Sequence, residues 1–243
     1  MIEIEWGQVV LVSGTLVVAS TIQGIAGFGF MLIATAGLIQ FYPAQMVVPG
    51  MALVYIPLGL AQSYQVRRQI DWRLLATWLI SGLVGLLPGT HILRVVDSLM
   101  MKRGIGLTMV FLATLLQFRP GRPFRNEQAA RIGAGVVAGI LGASTSISGP
   151  PLVLAGIKQR WPVEPFRATL LAFFTSLSIV IVAYQTRAGI VSMDTVWWSA
   201  SGLPGIAIGF VTSALLRDRV SDDHFRKLGV GLVFGGGLAA LLL

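Results

Sequence analysis

The chain of 243 residues has no cysteine, so disulfides, thiolate metal sites and thiol nucleophiles are excluded. Acid is scarce as well. The ten acidic residues stand at positions 3, 5, 71, 97, 127, 164, 194, 218, 222 and 223, each at the end of an apolar run or between runs. Cation carriers and proton relays keep a carboxylate within the bilayer, because a desolvated cation needs a counter-charge. That lack disfavours both. The two histidines, His91 and His224, are far apart and have no metal-ligand spacing. Serine–histidine–carboxylate catalysis and metal-assisted hydrolysis therefore lack their groups. No enzyme activity, metal or cofactor is expected.

Charge of either sign is low, at 12% of residues, where soluble domains carry roughly twice as much. What is present instead is apolar: 55% of residues, with a mean hydropathy of +0.79. Such a chain needs lipid as its solvent, and lipid admits only helices or closed barrels. The apolar runs are continuous rather than alternating, so they read as helices. The net charge of +8 comes from Lys and Arg at the ends of these runs. That is the distribution topology and anionic headgroups favour, so no nucleic-acid partner is expected. The acidic start, Met1-Ile-Glu-Ile-Glu-Trp6, lacks the basic opening of a cleaved signal peptide.

The expected fold is an all-α polytopic membrane protein with about eight transmembrane segments: 8–38, 44–65, 73–93, 100–117, 131–157, 165–186, 194–216 and 226–243. The first and fifth are too long for one straight crossing. They contain Gln23-Gly-Ile-Ala-Gly-Phe-Gly-Phe30 and Gly142-Ala-Ser-Thr-Ser-Ile-Ser-Gly-Pro-Pro151. Clustered glycine weakens a helix and Pro-Pro stops one, so both segments read as broken or re-entrant.

The chain also resembles itself. Gly24-x-x-Gly27 matches Gly139-x-x-Gly142 at an offset of 115. Arg67 and Ile70 match Arg187 and Ile190 at 120, as does Ser81-Gly82-x-x-Gly85-x-x-x-Gly89 with Ser201-Gly202-x-x-Gly205-x-x-x-Gly209. Lys102-x-Gly104-x-Gly106-Leu107 matches Lys227-x-Gly229-x-Gly231-Leu232 at 125. A single transmembrane domain, 1–243, made of two four-segment repeats is expected: about 6–118 and about 131–243, joined by a linker at about 119–130. Duplicated halves with corresponding interrupted helices point to a secondary transporter with its site at the breaks. Eight simple crossings divide the basic residues about ten to eight, too evenly to orient the chain. If the broken segments return to their own side, the repeats are inverted.

Within the apolar runs the available chemistry is hydroxyl, amide and backbone. Where a helix restarts, its unpaired N–H groups form an anion site with no charged side chain. The expected substrate-binding residues are Gly27, Phe28, Gly29 and Phe30 in the first break, and Ser144, Thr145, Ser146, Ser148, Gly149 and Pro150 in the second. Two such breaks face to face would form a symmetric oxyanion cradle. Gln23, Gln62, Arg167, Thr175 and Ser176 are candidates for the path or gate. Arg167 either draws an anion to the pore mouth or snorkels and pairs with Glu164. The amides and hydroxyls either line the path or bond between helices. The glycine series 82–85–89 and 202–205–209 read as helix-packing positions. Trp72, Trp78, Trp197 and Trp198 read as interfacial belt residues.

The arrangement resembles the TauE/SafE family of sulfite exporters. The resemblance rests on Gly24-x-x-Gly27-x-Gly29, Gly142 to Pro151, Arg68-Gln69-Ile70-Asp71-Trp72 and the repeated glycines, and it covers nearly the whole chain. It implies a multi-pass permease of the bacterial inner membrane that exports sulfite, sulfoacetate or a related organosulfonate or carboxylate. Its partners would be that anion and the lipid bilayer, and a homodimer is compatible with it. An anion channel and a non-transporting membrane scaffold are the alternative readings. The second break departs from the glycine run common in the family, with Ala143-Ser-Thr-Ser-Ile-Ser148 in its place. Thiosulfate uptake, which depends on cysteines in relatives, is not expected.

Overall fold

The computed structural model describes residues 6–26, 29–115, 124–216, 231 and 234–242. Its helices include α1 (Trp6–Ala26), α2 (Phe30–Leu38), α3 (Ala44–Val66), α4 (Trp72–Val95), α5 (Ser98–Leu115), α6 (Glu127–Thr145), α7 (Gly149–Gln159), α8 (Val163–Arg187), α9 (Met193–Ser201) and α10 (Leu203–Leu216). A short 3-10 turn, Arg67–Gln69, follows α3, and residues 234–242 are helical too. No strand occurs among the described residues. Among the described residues, five stretches are long and apolar enough to cross a membrane: Gly7–Ile25, Ala44–Gln69, Trp72–Val95, Val163–Arg187 and Met193–Leu216. The chain is thus a multi-pass helical membrane protein. The eight expected segments are not all of this kind. Residues 98–115 and the interrupted 127–159 fall short of that standard, and of 226–243 only 231 and 234–242 are among the described residues.

Both interrupted segments double back. Gly37 of α2 lies against Thr15 of α1, so α2 runs antiparallel to the helix it follows. Gln159, ending α7, donates to the Phe124 carbonyl at 3.3 Å, and the Trp161 indole donates to Glu127 Oε1 at 2.7 Å. The chain therefore leaves α7 beside the start of α6. If the face where α1 begins is the near face, α1 ends toward the far face. α10 runs alongside α1 in the same direction, with Gly205 on Ser13, Gly209 on Ser20 and Ser213 on Gly24. α4 likewise runs parallel to α6, with Gly85 on Val136 and Gly89 on Ile140 and Ala143. α3 and α8 are antiparallel: Ser63 meets Thr175 at 3.1 Å, and the Asp71 N–H donates to Thr169 Oγ1 at 3.0 Å. So α1, α3 and α10 run from near to far, whereas α4, α6 and α8 run from far to near.

The two glycine series set the closest helix approaches. A Cβ at Gly85 would strike the Val136 carbonyl oxygen, and one at Gly89 the Ile140 carbonyl oxygen. A Cβ at Gly205 would strike the Ser13 carbonyl oxygen, and one at Gly209 the Ser20 hydroxyl. In lipid no hydrophobic effect drives helices together, so small residues that allow backbone contact supply the packing. Both series have the packing role expected for them.

The tryptophans divide. Trp72 and Trp197 are exposed, as belt residues are, but Trp78 is fully buried and Trp198 is nearly so. Trp78 stacks among Trp161, Phe166 and Phe173, with centroids 5.9–6.0 Å away. Trp198 meets Tyr42 edge-on at 5.1 Å. These two are core residues rather than interfacial anchors, because each fills the joint between two helix starts.

At the far face, outside the spans, Glu127 accepts from Trp161 and from Arg131, the latter at 2.6 Å. The Trp161 and Arg131 hydrogen bonds hold its carboxyl below the usual carboxylate range. A lowered folded pKa adds stability above the unfolded value and loses it as pH falls through the folded value. The clasp between α6 and the end of α7 should therefore persist at neutral pH and release only in acid. Tryptophan fluorescence should show a low-pH transition that disappears in Glu127→Gln; an identical transition in that variant would contradict the assignment.

Candidate functional site

The first break follows Ala26. Gly29 stands at φ +107°, a conformation open to glycine, and α2 restarts at Phe30. Gly27 and Phe28 lie outside the described residues. Gln23, buried on the last turns of α1, bridges the gap. Its Oε1 accepts from the Phe30 N–H at 3.0 Å, and its Nε2 reaches Tyr55 Oη at 3.0 Å and Gln62 Oε1 at 3.3 Å. Gln23 thus caps the second helix with an uncharged oxygen, and α3 holds the amide from the other side. Phe30 is fully buried with its ring on Tyr55, 5.4 Å between centroids.

The second break follows Thr145. Ser146 takes the left-handed conformation at φ 63°, and its hydroxyl donates to the Val48 carbonyl at 3.0 Å. The hydroxyls of Ser144 and Thr145 donate back along their own helix to Ile140 and Leu141, both at 2.7 Å, and Thr145 also accepts from the Ile147 N–H. These three hydroxyls are committed to backbone. Ser148 differs: it is buried, caps α7 without a side-chain bond, and its hydroxyl has no partner among the described residues. Pro150 and Pro151 follow Gly149 and carry no N–H. The expected cradle is therefore asymmetric. The first turn of α7 offers only the Ser148 and Gly149 amides, whereas α2 offers Met31 and Leu32 after Phe30 is taken. None of these four N–H groups finds a partner among the described residues.

The two breaks meet. A cavity of about 20 Å³ is bounded by Gly29, Met31 and Leu32 on one side and Ile147, Ser148 and Gly149 on the other, with Gln23, Tyr55 and Phe174 completing it. That is space for about one water. Among the expected residues, Gly29, Ser148, Gly149 and Gln23 come together here. Phe30, Ser144, Thr145, Ser146 and Pro150 do not line it; they are buried, bonded or packed elsewhere.

Gln23 also lines a larger vestibule of about 210 Å³ toward the far face, with Gln62, Gln65, Gln69, Glu164, Arg167 and Ser213. Arg167 reaches the Gly24 and Ile25 carbonyls at 3.4 Å, so its cation sits at the negative end of α1. Thr175 donates to the Leu171 carbonyl and meets Ser63, an interhelical bond. Ser176 is half-buried and lines neither cavity. Tyr55 and Phe174 escaped the sequence reading. An isolated tyrosine between Pro49 and Pro57 inside α3 was the available signal; Phe174 gave none.

The model of the family described as "Sulfite exporter TauE/SafE" matches residues 12–240. The chain is 23% identical over 228 residues to a protein of Cupriavidus necator named "Probable sulfite/organosulfonate exporter TauE", covering 90% of this chain and 88% of that one. No solved structure matches. With a family model spanning nearly the whole chain, and an apolar helical fold whose two breaks meet at one small cavity, the chain belongs to the TauE/SafE family of sulfite exporters.

Proposed function

We propose that the chain is a secondary transporter that exports a small anion (sulfite, sulfoacetate or a related organosulfonate or carboxylate) across the bacterial inner membrane by alternating access. The observation that carries this reading is the meeting of the two helix breaks. It gathers N–H groups and the Ser148 hydroxyl, none with a partner among the described residues, around one small cavity whose described lining holds no carboxylate. Hydrogen-bond donors gathered at one place suit an oxyanion and repel no part of it. The volume supports a carrier over a channel: a water-sized constriction must rearrange before any sulfonate can pass.

Two inverted repeats support the same reading. Their helix breaks are 119 residues apart at both edges, Ala26 to Thr145 and Phe30 to Gly149. The pairing of α1 with α10 answers that of α6 with α4, and α1 and α6 run in opposite directions. The Gly24-x-x-Gly27 match at 115 is not the structural one: Gly24 meets α10 near the end of α1, whereas Gly139 meets Gly82 in the middle of α6. Hairpins that return to their own side also alter the charge balance. Among described residues, the far face has Arg67, Arg68, Arg73, Arg125, Arg131, Lys158, Arg160 and Arg167; the near face has Arg94, Lys102, Arg103 and Arg187. The positive-inside rule then makes the far face cytoplasmic, so the vestibule with Arg167 opens toward the cell interior.

Proteoliposomes should take up or release radiolabelled sulfite or sulfoacetate with saturation and counterflow. Absence of flux for every small anion would overturn the reading. Arg167→Gln should raise KM by about tenfold, as loss of one steering cation does, while kcat changes less. An unaltered KM would remove Arg167 from the path.

A further inference from the structure

The two ends of the path differ, and the difference lies in how the carbonyls at the helix breaks are held. At the far face, the Gly24 carbonyl is held by Arg167 beside an open vestibule. An offset of 119 carries Gly24 to Ala143, near the end of α6. The Ala143 carbonyl is held by Gln185 Nε2 at 2.9 Å. Gln185 itself matches the vestibule residue Gln65, since Tyr64-Gln65-x-Arg67 recurs as Tyr184-Gln185-x-Arg187. The glycine series carries Phe210, another vestibule residue, to Thr90.

The near-face counterparts are shut in. Gln185 is fully buried with Oε1 unpartnered, and Thr90 is 3% exposed with Oγ1 unpartnered among the described residues. The residue before Thr90 packs beside the carbonyl that Gln185 holds: a Cβ on Gly89 would lie 3.0 Å from the Ala143 Cβ. Buried side-chain polar atoms normally find partners, and those that do not call for an explanation. Two of them at the position equivalent to an open vestibule have one: they meet water or ligand when this end opens.

We propose that Gln185, Thr90 and the Ala143 carbonyl form the closed near-face mouth of the anion path, the exit through which the anion leaves. This rests on the inverted-repeat transporter reading above. The cation is missing at this mouth: Val47, on α3, stands where Arg167 stands on α8. A neutral amide holds the helix end in its place. The two mouths thus differ in the group that holds the helix end, a cation at the far face and a neutral amide at the near face.

The absence of native cysteine makes the test clean. Single variants Gln65→Cys and Thr90→Cys, purified as monodisperse protein and reconstituted, are exposed to a membrane-impermeant maleimide from each face with and without sulfoacetate, which unlike sulfite does not add to the maleimide. Gln65→Cys should react from the far face. Thr90→Cys should react from the near face only, about tenfold faster when sulfoacetate drives turnover through the outward-open state. A Thr90→Cys inert from both faces, or one reacting from the far face, overturns the proposal. If Thr90→Cys does not fold, Gln185→Ala in the Gln65→Cys background replaces it. Loss of the amide lock should lower far-face labelling at position 65 several-fold, and unchanged labelling overturns the proposal. Near-face labelling of Thr90→Cys in a protein that moves no small anion would keep the mouth and discard the substrate reading.

Discussion

Gln23→Glu should stop anion transport while leaving the protein folded. The replacement is isosteric. A carboxylate at this place still accepts from the Phe30 N–H, and the Tyr55 hydroxyl, which now accepts from the amide, turns to donate to it. It loses the donor to Gln62. Its charge sits at the positive start of α2, where a fixed anion is welcome. That charge then occupies the field an incoming anion would use. At about 4 Å and an effective dielectric of about 20, like charges repel by about 4 kcal/mol, roughly a thousandfold in affinity. Flux in proteoliposomes should fall by about that factor, with the elution profile and thermal transition close to wild type. Wild-type flux in Gln23→Glu would show that the anion passes elsewhere. Gln23→Leu should behave differently: it leaves the buried Phe30 N–H and two side-chain partners without their hydrogen bonds at about 1–3 kcal/mol each, and so should lower stability as well as flux.

The largest stability effects belong to Gly85 and Gly205. Each lies where a Cβ would fall on a backbone carbonyl of the paired helix, Val136 in one case and Ser13 in the other. Backbone cannot move aside as a flexible side chain can. Gly85→Ala and Gly205→Ala should each cost about 3 kcal/mol or more by forcing the helices apart, and Gly85→Leu should give no folded protein. Gly104 and Gly133 have open space at the Cβ position, so alanine there should be neutral or stabilising by up to about 1 kcal/mol. Thermal unfolding in detergent separates the two groups. Equal effects at all four positions would mean that the close approach of α4 to α6, and of α1 to α10, does not hold the fold together.

What was legible in the sequence was what composition and small residues govern. The lack of membrane carboxylates, the helical class and the two interruptions were visible, because glycine clusters and Pro-Pro act locally on the backbone. The packing role of the two glycine series was visible for the same reason. Donor commitments were not. Ser144, Thr145, Ser146 and Ser148 look alike in sequence, but three of the hydroxyls are bound to carbonyls and only Ser148 is left for the cavity. The proline pair marked the break, yet it also removes two donors from it. Tyr55 enters the site from α3, far along the chain, and only tertiary packing brings it to Gln23. The burial of Trp78 and Trp198 was hidden because position near a helix start says nothing of which face is covered. Chain direction was hidden too: the even split of basic residues assumed simple crossings, and the two hairpins changed it.

The central claim is that the anion lies between the two breaks, against Gly29 on one side and Ser148 and Gly149 on the other. Selenite has the shape and charge pattern of sulfite and scatters anomalously, so diffraction from crystals soaked with it locates the ligand directly. The account predicts an anomalous peak between Gly29 and Ser148, in a cavity widened from its present size and lost in Gln23→Glu. A peak confined to the Arg167 vestibule, or unchanged by Gln23→Glu, would contradict it.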